Sequence, residues 1–183
     1  MNALRIGTGL KSLAAMLAVW MVVVGALAVA APAPAQRKAD DAAVSHVLDE
    51  LHEAASKADG KRYFSLYTDD AIFLGTDATE RWTITEFRAY AQKRFDTGTG
   101  WTYSAKSRHI YFNDAGDTAW FDEALENAKY GECRGSGVLV KTGAGGGDWK
   151  IAQYNLLVPV PNDLMPKVTE MIREHLKDTA GKK

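Results

Sequence analysis

Cysteine is nearly missing from this chain. Cys133 is the only one in 183 residues, so no disulfide can form within it. The thiol reads as a packed small side chain, with a reactive thiol or an intermolecular bridge as the alternative. Metal-binding spacings are missing too: there is no HExxH, no CxxC and no carboxylate loop. His46 and His52 stand six apart in a helical segment and project on different sides, so they do not make a metal pair. No metal and no cofactor is expected. Charge of one sign is also lacking, with 22 Lys and Arg against 23 Asp and Glu and no basic block, which argues against nucleic acid as a partner. GAGGGD at 143–148 reads as a hairpin turn and not a phosphate loop, because a strand follows it where a helix would be needed. Ser136 in CRGSGVL is no serine elbow either. Only one flanking spacing fits, and it sits within a strand pattern.

Long apolar runs are scarce, and the single one is at the start. Arg5 and Lys11 precede an apolar stretch from Leu13 to Ala31, and Ala33-Pro34-Ala35 closes it. A basic start, an apolar middle and an A-x-A end describe a secretory signal peptide over 1–35, with cleavage expected after Ala35. The alternative is an uncleaved anchor, since the run is long enough to span a bilayer. Only in that case is a membrane association expected. Either way the folded part is expected outside the cytoplasm, periplasmic or secreted. Losing Arg5 and Lys11 takes the formal net charge from −1 to −3. The remaining 148 residues suit one domain with a single core.

Residues 36–39 read as a polar lead-in to a helix over 40–59. Val44, Val47, Leu48, Leu51 and Ala55 make its apolar stripe, Asp40 and Asp41 suit its N-terminal end, and Gly60 suits its stop. KRYFSLY predicts a short helical segment with Phe64 and Tyr67 turned inward, Thr68-Asp69-Asp70 a turn, and AIFLG a short buried strand. Thr83 and Glu86 form a capping box for a helix to about Phe95. The pattern then changes period. Segments 101–112, 118–127, 133–141 and 148–158 are rich in aromatic and β-branched residues, with turn signals between them, and predict an antiparallel meander. Helices first and strands after give an α+β fold, helices to one face. Beyond Pro159 and Pro161, Leu164, Val168, Met171, Ile172 and Leu176 predict a tail helix over 163–183 that packs against its own domain or, alternatively, docks on a partner.

The stretches LHEAASKADGKRYFSLYTDDAIFLG, GDTAWFDE and RGSGVLVKTGAGGGDWKIAQYNLLVPVPN together resemble the SnoaL-like members of the nuclear transport factor two-like superfamily. The likeness covers residues 42–162, nearly the whole domain of 36–162. It implies a cone-shaped, curved antiparallel sheet packed on N-terminal helices. The superfamily includes ketosteroid isomerases, polyketide cyclases, dehydratases, epoxide hydrolases and assembly domains, so the fold does not select an activity. The resemblance implies a site in the open end of the cone, a carboxylate or histidine over an apolar floor, and dimers formed through the outer face of the sheet. Where relatives are expected to carry a histidine, this chain has Asn155 in QYNLL, which cannot shuttle a proton near neutral pH.

The residues that could carry chemistry cluster in AWFDEALEN. Alternation puts Trp120, Asp122, Ala124 and Glu126 on one face and Phe121, Glu123 and Leu125 on the other. Both faces are mixed, so alternation does not say which is inside. Asp122 facing the cone beside Trp120 would have its pKa raised and act as a general acid or base. Otherwise it pairs with Arg134 or Arg108, or simply faces water. Trp82, Trp101, Tyr103, Trp120 and Tyr154, with Arg134 and Asn155, are the expected lining of a small-molecule pocket, or else core fillers; Trp149 reads as core. His109 reads as a hydrogen-bonded structural histidine. Three functions remain open: binding of a small hydrophobic molecule; an acid/base lyase, isomerase or cyclase using Asp122 with Tyr154 or Asn155 at an oxyanion; or a homodimerising interaction module.

Overall fold

The computed structural model describes residues 32–143 and 147–180. The predicted leader therefore lies outside the described residues, except for its last four. No described helix is long and apolar enough to cross a membrane. The elements are α1 (Pro34–Ser56), α2 (Gly60–Ser65), β1 (Tyr67–Leu74), β2 (Arg81–Thr83), α3 (Ile84–Phe95), β3 (Ser104–Phe112), β4 (Thr118–Asn127), β5 (Gly131–Thr142), β6 (Asp148–Leu157) and α4 (Met165–Ala180).

One six-stranded sheet runs in the order β2-β1-β6-β5-β4-β3. The meander β3 to β6 is antiparallel throughout, and the single parallel junction joins β1 to β6. Register shifts in β1, β3 and between Val138 and Leu139 bend the sheet. Its concave face closes over α1, α2 and α3. The core there includes Leu48 and Leu51 of α1, Phe64 of α2, Phe87 of α3 and Phe121, Leu139 and Ile151 of the sheet. Trp149 is core, as its position before Ile151 predicts.

Helix α1 begins six residues earlier than its apolar stripe implies. Pro34 sits in its first turn, where a missing N–H costs nothing. The stretch 36–39 is therefore helix and not a lead-in. Asp40 does not serve the helix end. It is buried in the second turn, bound by Lys141 Nζ at 2.9 Å and by Trp149 Nε1 at 3.4 Å, tying α1 to the hairpin of β5 and β6. Burial opposes its charge, but Lys141, Gln36 and Trp149 hold the carboxyl below its ordinary value. Gly60 starts α2 and does not stop α1: Ala58 takes the left-handed turn (φ 56°), and Asp59 caps α2 by accepting from Arg62 N. Residues 68–70 continue strand β1, within the register shift between Tyr67 and Ile72, the residues on either side that pair with β6. The capping box forms, with Glu86 N donating to Thr83 Oγ1 at 3.3 Å and Thr83 N to Glu86 Oε2 at 2.8 Å.

The tail helix forms, with Val168 and Thr169 partly covered. No residue of α4 is buried, and Met165, Met171, Ile172 and Leu176 stay 43–59% exposed.

Candidate functional site

The alternation of β4 resolves cleanly once the sheet is closed. Ala119, Phe121, Glu123 and Leu125 are buried, and Trp120, Asp122, Ala124 and Glu126 face outward. Asp122 is therefore not over the cone floor. It is half exposed on the outer face, with His109 Nδ1 at 3.2 Å. Trp120 is 46% exposed there and stacks on Tyr111 at 6.0 Å. Arg134 and Asn155 share that face, because their registers place Arg134 opposite Ala124 and Asn155 opposite Ser136. The carboxylate inside the cone is Glu123.

Glu123 has no solvent exposure and each of its oxygens is held. Oε1 lies 2.8 Å from His52 Nε2 and accepts from Tyr154 Oη at 3.0 Å. Oε2 accepts from Arg108 Nε at 3.0 Å, with Arg108 Nη2 at 2.9 Å. Arg108 in turn donates to Ser45 and Asp49 of α1. Burial works against the charge on Glu123, but His52 and the Arg108 guanidinium outweigh it and keep the carboxyl below its ordinary value. An ionised carboxylate only accepts, so it is His52 Nε2 that carries the proton of this hydrogen bond. Burial first, and then the Glu123 charge, push the Tyr154 phenol well up, so it stays protonated.

A glycine makes room for this cluster. Gly135 lies opposite Glu123 in the β4–β5 register, and a Cβ there would sit 2.5 Å from Tyr154 Oη and 2.8 Å from Glu123 Oε1. CRGSGVL is thus a strand that must be bare where it crosses Glu123, which explains the glycine better than any catalytic serine.

Above the cluster the cone opens into a cavity of about 470 Å³. That is within the range of small-molecule sites. Its wall is aromatic: Phe73 of β1, Trp82 of β2 and Phe87 and Tyr90 of α3 lie in near-parallel stacks, Phe73 on Phe87 at 3.8 Å and Trp82 on Tyr90 at 5.0 Å. Trp101 lines it beside Phe87, ring centroids 6.2 Å apart, and Tyr103 and Tyr130, the latter from the turn between β4 and β5, complete the aromatic lining. Burial pushes the Tyr103 phenol up to about 12, so it stays neutral at the wall. Arg94, whose guanidinium lies 5.9 Å over Trp101, and Lys129 stand at the rim. A second void of about 20 Å³ lies deeper, lined by His52, Tyr63 and Tyr154, and shares Phe73, Trp101, Tyr103 and Leu156 with the large cavity. It holds nothing bigger than a water molecule. His52 and Tyr154 of the cluster thus line a void that adjoins the large cavity.

Of the expected pocket residues, Trp82, Trp101 and Tyr103 line the cavity and Tyr154 lies beneath it. Trp120, Arg134, Asn155 and Asp122 do not reach it. His52 and Glu123 were missed. Gly135 opposite Glu123 was the available signal, since a bare position beside a mid-strand acid marks a crowded inner face. Among the described residues no group of His, Cys, Asp and Glu could hold a metal ion.

The comparisons agree with this architecture. The sequence matches the SnoaL-like domain over residues 44–161. Among solved structures, an NTF2-like protein of unknown function from Pseudomonas putida KT2440 superposes with a TM-score of 0.56 at 14% identity, covering 68% of this chain and 90% of that one. A putative scytalone dehydratase from Novosphingobium aromaticivorans gives 0.55 at 11% identity, covering 69% and 89%. A ketosteroid isomerase-like protein from Erwinia carotovora atroseptica gives 0.50 at 21% identity, covering 66% and 96%. At these identities the structures show the fold alone. Among curated proteins none matches. A family match over most of the folded chain, on a cone of sheet closed over three helices, is decisive: the chain belongs to the SnoaL-like domain family.

Proposed function

We propose that this domain binds a small, flat, largely apolar molecule in the aromatic cavity. The observation that carries the reading is the wall itself. Phe73, Trp82, Phe87 and Tyr90 are stacked in near-parallel rings, and Trp101 and Tyr103 join them in lining about 470 Å³. Stacked aromatic faces favour another planar π-system or a fused ring over a flexible chain. The leader pattern of 1–35 supports a further part of the proposal, that the domain works outside the cytoplasm. A thermal-shift panel of apolar carbonyl compounds, sterols, aromatic acids and lipids tests the binding. A ligand far above its dissociation constant raises the melting temperature by several degrees through linkage. If no class shifts it, the binding proposal fails.

One observation favours a second reading, acid/base catalysis, and it replaces the carboxylate first considered. His52, which lines the small void adjoining the cavity, is held through Nε2 by an ionised Glu123, which fixes the orientation of the ring. The test uses a carbonyl ligand found in the panel. In D2O its α-protons should exchange faster with the protein present, and His52→Gln should remove that rate. Equal exchange with His52→Gln would leave binding alone.

A further inference from the structure

The cavity is aromatic along its wall, but three charged side chains also line it: Glu80, Arg94 and Lys129. Glu80 is turned back on its own hairpin. Its Oε2 accepts from Asp77 N at 3.1 Å and lies so close over Gly75 that a Cβ there would clash with it. That carboxylate has a local task, closing the turn between β1 and β2.

Arg94 and Lys129 have no such task for their charge. No ion pair among the described residues includes either of them. Arg94 donates through Nε and Nη2 to Gly100 O, at 3.4 and 3.0 Å, while its Nη1 and the Lys129 ammonium meet no acceptor among the described residues. Both cations lie over rings of the lining, Arg94 5.9 Å from the centre of Trp101 and Lys129 4.9 Å from that of Tyr130. They are also tied to one stretch of backbone. Asn127 donates to Thr102 O at 2.9 Å and accepts from the amides of Lys129 and Tyr130, so the turn that carries Lys129 is pinned beside the 100–102 segment that holds Arg94. The chain as a whole has a formal net charge of −1, so this positive edge is a local feature.

An apolar wall with two unpaired cations at its edge suits a ligand of matching asymmetry, a flat ring body with one anionic group. A carboxylate offers two oxygens to the two cations, and such charge-assisted hydrogen bonds are about twice as strong as neutral ones. Building on the binding reading above, we propose that the cavity takes a planar carboxylic acid, its ring seated against Phe73, Trp82, Phe87 and Tyr90 and its carboxylate held by Arg94 and Lys129.

The test is calorimetric titration of the chain from residue 32 onward, which contains every described element. It compares 2-naphthoate with 2-naphthamide, and pyrene-1-carboxylate with its amide, at pH 7. Within each pair the ring is shared and only the charge differs. Each acid should bind about tenfold more tightly than its amide. Raising NaCl from about 0.05 to about 0.5 M should weaken the acids several-fold and leave the amides unchanged. In the double variant Arg94→Gln with Lys129→Gln, the acid should fall to the affinity of the amide. The amide should keep its own affinity there, which shows that the cavity is intact. Lys129→Gln alone should remove part of the preference, since its ammonium meets only the Tyr130 ring. Amides that match their acids in the wild type overturn this inference and leave the binding reading standing. So does an acid preference that survives the double variant, which would put the carboxylate elsewhere. If none of the four compounds binds, the binding reading and this inference fall together.

Discussion

Replacing Glu123 by leucine isolates the cluster at the heart of the cone. The change keeps volume but removes the acceptor for three donors, His52 Nε2, Tyr154 Oη and the Arg108 guanidinium. Tyr154 is fully buried and loses its partner outright. Arg108 keeps Asp49 and Ser45, but its charge is no longer neutralised inside the cone. Breaking a buried ion pair from one side costs about 3–5 kcal/mol. That is a large share of the about 5–15 kcal/mol that a domain has in total. For a domain of this size it lowers the melting temperature by about 8–15 °C. Equilibrium urea unfolding at pH 7 measures it. The double variant Glu123→Leu with Arg108→Met should be more stable than Glu123→Leu alone, because the uncompensated charge is gone. The sign with pH is also fixed. The Glu123 carboxyl lies below its ordinary value of 4.5 when folded, so its contribution is present above that value and is lost as pH falls through the lowered one. The gap between wild type and Glu123→Gln should therefore narrow in acid. A loss under about 1 kcal/mol, the scale of an exposed pair, or a gap unchanged with pH, would refute the reasoning.

Three smaller expectations follow from the same geometry. Gly135→Ala should destabilise by about 1–3 kcal/mol through overpacking, since its Cβ would press on Tyr154 Oη and Glu123 Oε1; a neutral variant in urea unfolding would mean the strand yields freely. Asp40→Ala leaves Lys141 and the Trp149 indole without their buried acceptor and should cost about 1–3 kcal/mol, read as a lower melting temperature with an unchanged circular dichroism spectrum. Burial and the neighbouring Glu126 and Glu132 raise the Cys133 thiol. Iodoacetamide should therefore label it only at the rate of global unfolding; rapid labelling of the native protein would place the thiol at the surface.

What the sequence discloses depends on how local the cause is. The capping box of Thr83 and Glu86 involves four residues, and it is legible without a structure. The meander is equally plain, because period-two segments and turn signals are local too. Asp40 is opaque for the opposite reason: its partner Lys141 stands 101 positions away, and an acid near a helix start has a cheaper local explanation. The face of β4 could not be read from β4. Trp120 and Asp122 look as much like an inner pair as Phe121 and Glu123 do, and the choice is made by His52, Asp49 and Ser45 on α1 meeting Arg108 and Glu123. His52 lies one residue past Leu51 on the margin of the α1 stripe, close enough to turn inward. The apolar face of α4 was legible as a face, but nothing in its pattern told whether its own domain would cover it.

The central claim is that a ligand enters the aromatic cavity and not the outer face. Indole N–H resonances report this directly, since the chain from residue 32 has four tryptophans, Trp82, Trp101, Trp120 and Trp149. Titrating a thermal-shift hit into the 15N-labelled domain should move the signals of Trp82 and Trp101, which line the cavity. Trp120 on the outer face and Trp149 in the core should stay in place. A titration that moves Trp120 and leaves Trp82 and Trp101 still would put the ligand on the opposite side of the sheet and contradict the account.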